Sequence, residues 1–411
     1  MRRALLLALV LVVAACGQGS APTSAALPRI GAAASASAPG LVPPIPTLRP
    51  TPTPEPAGTP SVSRGGSKTD LAAHGEVALT ATALPTCPAE TEHFPSGYTA
   101  YHTYAGLCRA LVAAARAHPT ITRLFSIGRS YQGRQIWAME ISSHIGDGTH
   151  PPGVLFDGMH HALEHMSLEM TLAIMGWLVN GYGTSWSITH LVQTRDIFIV
   201  FDVNPDGAAY DIAGGSFHGW RKNRQPGPGG AIGTDLNRNY DDHWGCCGLV
   251  SSNPSSAYYR GTAPWSAPET RAIRNFVLSR VFGGRQQIRV AITFHTSGRL
   301  VLWPYGYTRT AIPSDMTARD HATFVAVGKH MASLNGYTPE QASSLYVDSG
   351  TARDWYYGKQ HVFAFTFELA TGTYQPSSAI GAETSRNRSA ILYLIALADC
   401  PYRAIGQASS C

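Results

Sequence analysis

The stretch Gly153-Val154-Leu155-Phe156-Asp157-Gly158-Met159-His160-His161-Ala162-Leu163-Glu164-His165 passes from an apolar run, through a glycine, into a cluster of imidazole and carboxylate side chains. Met170-Thr171-Leu172-Ala173-Ile174-Met175 follows. The short apolar run reads as a buried strand, and the segment after the cluster reads as a helix. The cluster therefore sits at a strand-to-helix junction. His161 and Glu164, three positions apart at the mouth of that helix, fall on one face about a turn from each other. Nitrogen and oxygen donors so placed suit Zn²⁺, and a catalytic zinc takes three protein ligands and keeps an open position for water. The third ligand has to come from elsewhere in the chain.

Three readings of the cluster compete. His161-Ala162-Leu163-Glu164-His165 fits H-x-x-E-H, in which both histidines bind metal and the Glu is a base. Alternatively His161 and Glu164 are ligands and a distant His completes the set. The third reading is a pair of histidines that only caps a helix. Two distant segments bear on the choice. Arg289-Val290-Ala291-Ile292-Thr293-Phe294-His295-Thr296 is a β-branched run ending on a His, and Val362-Phe363-Ala364-Phe365-Thr366-Phe367-Glu368 ends on a carboxylate. Open α/β sheets bind ligands in the crevice beyond the C-terminal ends of their strands. The H-x-x-E-H reading leaves His295 and Glu368 unexplained, so the second reading is preferred, with His160 and His165 as structural neighbours. Trp220-Arg221-Lys222-Asn223-Arg224 and Asp235-Leu236-Asn237-Arg238-Asn239-Tyr240 lie between these segments and are dense in guanidinium and amide donors suited to anions.

This ordered set resembles the zinc carboxypeptidases of the carboxypeptidase A type, and within them the bacterial, thermostable carboxypeptidase T branch. Asn204-Pro205-Asp206-Gly207, Trp303-Pro304-Tyr305-Gly306-Tyr307 and Glu383-Thr384-Ser385-Arg386-Asn387 support the likeness, which runs from about Ser96 to about Gly406. Each motif alone is weak; their order is specific. The resemblance implies a metallocarboxypeptidase that hydrolyses the C-terminal bond of peptides or proteins with a free C-terminus. One Zn²⁺ per chain would sit on His161, Glu164 and His295, with Asp235 orienting a ligand imidazole. Calcium is left open. Glu368 would be the general base and then pass its proton to the leaving amine. Arg221 would polarise the scissile carbonyl and stabilise the oxyanion. Asn237 and Arg238 would clamp the terminal carboxylate, and Tyr346 would close over bound substrate.

Counting back from Asp354-Trp355 places Arg353 at the base of the pocket for the terminal side chain, where relatives carry an apolar residue or an Asp. A guanidinium there implies a preference for acidic C-terminal residues; neutralisation by Asp348 in the same loop would leave a broader pocket. Leu163 and Ser297 stand where the family has an Arg and many members have a Tyr. Both positions contact substrate upstream of the scissile bond, so that affinity changes while the chemistry does not. A surface lipoprotein that binds peptides without cutting them would have lost Glu368 or Arg221, and neither is missing. A serine hydrolase would need a G-x-S-x-G elbow, which the chain lacks.

Charged residues are 14% of the 411-residue chain and the net charge is only +5, so nothing in the composition points to nucleic acid. Met1-Arg2-Arg3 and the apolar run Ala4 to Ala15 form a secretory signal, too short to span a membrane as a mature helix. It ends Val13-Ala14-Ala15-Cys16, which resembles a lipobox. The expectation is an extracytoplasmic protein, lipid-anchored at the cell surface through Cys16 and otherwise free of the membrane; simple secretion is the alternative. Residues 1–16 are then the signal, 17–93 a Pro/Ala/Ser/Thr-rich disordered tether and 94–411 the catalytic domain, expected to be monomeric. The tether is too short and too Pro-rich to be a folded inhibitory prodomain.

Strands are expected near 122–130, 134–142, 153–159, 196–203, 288–295, 299–304 and 362–368, with helices near 164–180, 267–281, 316–335 and 382–398. That alternation predicts a single α/β domain with a central mixed, mostly parallel twisted sheet covered by helices on both faces. Setting Cys16 aside leaves an even number of cysteines, which in an exported protein suggests disulfides. Cys400 with Cys411, Cys246 with Cys247 and Cys87 with Cys108 are the expected pairs; a second zinc held by these thiols is the alternative.

Overall fold

The computed structural model describes residues 84–411 together with the two-residue strand Val77–Ala78. The expected signal, Cys16 and the tether up to residue 83, apart from that strand, lie outside the described residues. Among the described residues the strands are β1 (Val77–Ala78), β2 (Thr122–Arg129), β3 (Gln135–Ile141), β4 (Gly153–Gly158), β5 (Asp196–Val200), β6 (Val281–Phe282), β7 (Arg285–Gln286), β8 (Ile288–Thr296), β9 (Leu300–Trp303), β10 (Thr338–Gln341) and β11 (Phe363–Leu369). The helices are α1 (Tyr104–Ala117), α2 (Met166–Gly181), α3 (Trp186–Thr194), α4 (Pro205–Asp211), α5 (Pro268–Ser279), α6 (Ala318–Asn335), α7 (Ala342–Leu345), α8 (Ala352–Gln360) and α9 (Ile380–Leu397).

Apart from the β6–β7 hairpin, the strands form one sheet in the order β1-β2-β3-β5-β4-β8-β11-β9-β10. The centre, β5-β4-β8-β11, is parallel, and the flanking pairs β3·β5 and β11·β9 are antiparallel. The architecture is the expected single α/β domain with a mixed sheet.

Every residue of β4 and β11 is buried, as in strands covered on both faces. Alternation along each strand sorts the side chains. Val290, Ile292 and Phe294 of β8 share a cluster with Met170 and Ile174 of α2, Val327 of α6 and Leu394 of α9. Ala291 of β8 and Ala364 of β11 face the other way, where their small side chains leave room for Phe276 of α5 and for Trp355 and Tyr356 of α8.

Helices α1, α3, α4, α7 and α8 and strands β1, β6, β7 and β10 are additional to the elements expected from the sequence. α1 does carry an apolar stripe, Leu107, Cys108, Leu111, Val112 and Ala115, spaced three and four apart with Arg109 and Arg116 outside it, and this is the face it buries. α8 is short and largely polar, and its packing decides it. The expected disulfides Cys87–Cys108, Cys246–Cys247 and Cys400–Cys411 are present. Residues 84–93, assigned to the tether by composition, lie on the domain: Cys87 is bonded to α1, and Glu90 pairs with Arg109 at 2.6 Å. Among the described residues no helix is long and apolar enough to cross a membrane.

Candidate active site

β4, β8 and β11 run parallel, so their C-terminal ends open on one edge of the sheet. Past the end of β4 the chain turns sharply. Met159 takes φ 63°, a costly conformation for a side chain with a Cβ and one that clusters at functional sites. Its N–H donates to Ser167 Oγ at 2.9 Å. A Cβ on Gly158 would lie 2.9 Å from Ser167 O, so glycine lets the strand end abut the first turn of α2.

This turn brings His161 and Glu164 to His295, the penultimate residue of β8. His161 Nδ1 is 2.8 Å from Glu164 Oε1, and His295 Nδ1 is 2.9 Å from Glu164 Oε2. The two Nδ1 atoms are 3.1 Å apart. All three residues are buried, and their donor atoms fall within 4.8 Å of one another. Two imidazole nitrogens and a carboxylate converging on one point fit a divalent cation with a preference for N and O donors. Burial, the largest influence, holds His295 below its usual range, which favours the neutral imidazole that metal binding requires.

Asp235 lies behind His161, its Oδ1 3.3 Å from Nε2, and its Oδ2 accepts from Arg221 Nε at 2.9 Å. Burial alone would raise this carboxyl; Arg221, then His161 and Arg238, outweigh burial and hold it well below the usual range. One carboxylate thus orients a ligand candidate and an arginine together. Arg221 Nη2 keeps no partner within the protein.

Glu368 is the register partner of His295 on adjacent parallel strands and is 8% exposed. Burial, reinforced by the charge of Glu164, pushes its carboxyl up, against the pull of Arg221 and Arg353. Arg238 is fully buried, with Nε given to Leu249 O (2.7 Å), Nη1 to Asn237 O (2.6 Å) and Nη2 unpartnered. Asn237 accepts from Ala352 N at 2.9 Å and lies 3.4 Å from His295 Nε2 through Nδ2. The Tyr346 ring lies 5.9 Å from the Arg238 guanidinium, and burial pushes its hydroxyl up to about 12. Arg353, on the first turn of α8, donates to Asp354 Oδ1 at 2.9 Å and to Thr366 Oγ1 at 3.3 Å, and Nη2 makes no hydrogen bond, facing Asp348 Oδ1 at 3.6 Å.

Residues 107–390 match the zinc carboxypeptidase family. The chain belongs to that family. A zinc carboxypeptidase from Saccharothrix mutabilis subsp. capreolus is 42% identical over 322 residues, 77% of this chain and 74% of that one. Carboxypeptidase A1 from Rattus norvegicus is 32% identical over 66% of this chain, a match spanning 63% of the rat protein. The crystal structure of a carboxypeptidase A from Helicoverpa armigera superposes with a TM-score of 0.64 at 25% identity, covering 75% of each chain.

In this zinc carboxypeptidase the other two histidines of the cluster bond away from Glu164. His160 Nε2 meets Tyr240 OH at 2.7 Å, and His165 Nε2 meets Asp211 Oδ2 at 3.0 Å. Sequence reasoning missed Asp211. Its carboxylate accepts from Trp220 N (2.7 Å) and Tyr374 OH (3.0 Å) as well as engaging His165, tying the residue after Glu164 to the residue before Arg221. It missed too that Asp348 Oδ2 sits 3.3 Å from Arg238 Nη1. Only the return of the 346–350 loop onto residue 238 brings these groups together, and no spacing in the sequence signals it.

Proposed function

We propose that the chain is an extracytoplasmic, monomeric, zinc-dependent carboxypeptidase that removes the C-terminal residue of peptides and proteins, nearest in kind to the bacterial carboxypeptidase T branch. The observation that carries this reading is the convergence of His161, Glu164 and His295 beside Glu368, flanked by two arginines each with an unpartnered guanidinium nitrogen. Zinc on those three side chains would supply a Lewis acid that acidifies water and polarises a carbonyl. Glu368 takes the proton of the attacking water and returns it to the departing amine. Arg221, fixed by Asp235, balances charge on the developing oxyanion. Asn237 and Arg238 receive the terminal carboxylate, which restricts cleavage to the chain end, and Tyr346 covers the bound residue.

The buried Arg353 supports a preference for terminal Glu or Asp, because a desolvated guanidinium favours an opposite charge. A second reading, a broad pocket, is favoured by Asp354 and Asp348, at 2.9 and 3.6 Å from that guanidinium. The signal-like N-terminus and Cys16 support lipid anchoring at the cell surface.

Release of terminal residues from a peptide library, with and without chelator, tests the function. Chelation should abolish release, zinc should restore it, and C-terminally amidated peptides should resist. Chelator-resistant activity or equal cleavage of amidated peptides would refute the reading. For the pocket, faster release of Phe or Arg than of Glu from otherwise identical peptides would remove Arg353 as the selector.

A further inference from the structure

We propose that Asp348 is a resident competitor for the substrate's terminal carboxylate, bridging Arg238 of the clamp to Arg353 of the side-chain pocket. The inference rests on the roles of those two arginines proposed above. Asp348 is 5% exposed, with Oδ2 at 3.3 Å from Arg238 Nη1 and Oδ1 at 3.6 Å from Arg353 Nη2. One carboxylate therefore lies within ion-pair distance of both guanidinium groups.

The main chain fixes it there. Asp348 N donates to Gly306 O at 3.1 Å, and Leu249 N donates to Val347 O at 2.7 Å. Leu249 O in turn accepts from Arg238 Nε, so the residue that holds the clamp arginine also holds the loop that carries the competitor. Gly306 makes room for the bridge: a Cβ there would overlap both Asp348 Oδ1 and Arg353 Nη2.

The charges decide what the bridge does. Arg353 already has a committed anion, since Asp354 accepts from its Nε at 2.9 Å. Arg238 gives Nε and Nη1 to main-chain carbonyls, which leaves Asp348 as its nearest carboxylate. Two arginines and two aspartates sum to zero before any substrate arrives. An incoming terminal carboxylate meets a guanidinium whose charge is already balanced, and lies close to a like charge that repels it. An acidic side chain entering the Arg353 pocket meets the same aspartate. Asp348 thus weakens binding of every substrate through Arg238, and of acidic termini most.

Asp348→Asn retains shape and removes the charge. The test is kcat and KM for peptides differing only in a terminal Phe, Glu or Arg. KM should fall about tenfold for Phe, more for Glu and least for Arg, since removing one charge contact is worth about one pK unit; kcat should change little. Inhibition by acetate, read without reference to side chains, should tighten about as much as KM for Phe. If Asp348→Asn misfolds, Asp348→Ser carries the same expectation. KM and the acetate constant both unchanged or raised would overturn the proposal, leaving Asp348 as a brace for the arginines. The underlying reading fails differently: if Arg353→Gln leaves the ranking of Phe, Glu and Arg unchanged, Arg353 is not the selector, whatever Asp348→Asn does.

Discussion

His295 and His165 both sit within a turn or a strand of Glu164, yet only His295 shares its carboxylate. His295→Ala should lose zinc, and His165→Ala should keep about one zinc per chain, as metal analysis of dialysed protein will show. The reverse pattern would restore the H-x-x-E-H ligand set. Glu368→Gln keeps the side-chain shape and removes the base; zinc should stay bound while kcat falls by about 10²–10⁴, and near-normal turnover would remove Glu368 from the chemistry. These residues were legible in the sequence because each ends a strand or opens a helix, where local pattern and chemistry coincide. Asp348 was legible only as a neighbour of Arg353 in the same loop. Its contact with Arg238, over a hundred positions away, exists only in three dimensions.

Among the elements, α4 acts as a wedge between two functional loops. A Cβ on its Gly207 would lie 2.6 Å from Lys222 O and 2.8 Å from Ala162 Cβ, and Ala162 N donates to Arg221 O at 3.1 Å. Gly207→Ala should push the His161 loop away from the Arg221 loop. The expected cost is about 1–3 kcal/mol of stability, with weakened zinc retention; a melting temperature and metal content both equal to wild type would show that the loops yield freely. The motif Asn204-Pro205-Asp206-Gly207 was visible in the sequence, but as family likeness. The central strands β4, β5 and β11 were readable because they are largely apolar, whereas β10, Thr338-Pro339-Glu340-Gln341, carries no apolar pattern and owes its place to pairing with β9.

For the molecule as a whole, buried acids set a pH dependence distinct from that of the metal. Burial, the dominant influence on Asp202, raises its carboxyl to about 7 despite a hydrogen bond from Asn204 N. A raised pKa means that the folded state binds this proton more tightly than the unfolded chain. The stabilisation is therefore complete below the unfolded value near pH 4 and is lost as pH rises toward 7. Asp202→Asn should flatten that part of the stability profile, by an amount on the order of 4 kcal/mol between pH 4 and 8; parallel profiles in chelator-treated wild type and variant would exclude Asp202 as the source. At the same scale, Cys16→Ser should move the protein from the membrane fraction to the soluble one, and a wild type already soluble in the medium would favour simple secretion. The site is assembled from residues 161, 164, 295 and 368, brought together only when β4, β8 and β11 have paired. Contacts so distant along the chain form late and slowly in folding. On the roles proposed for these residues, a growing polypeptide would lack the metal pocket until residue 295 emerges and the base until residue 368, so a nascent chain would not digest its neighbours and the onset of hydrolysis would report completed folding.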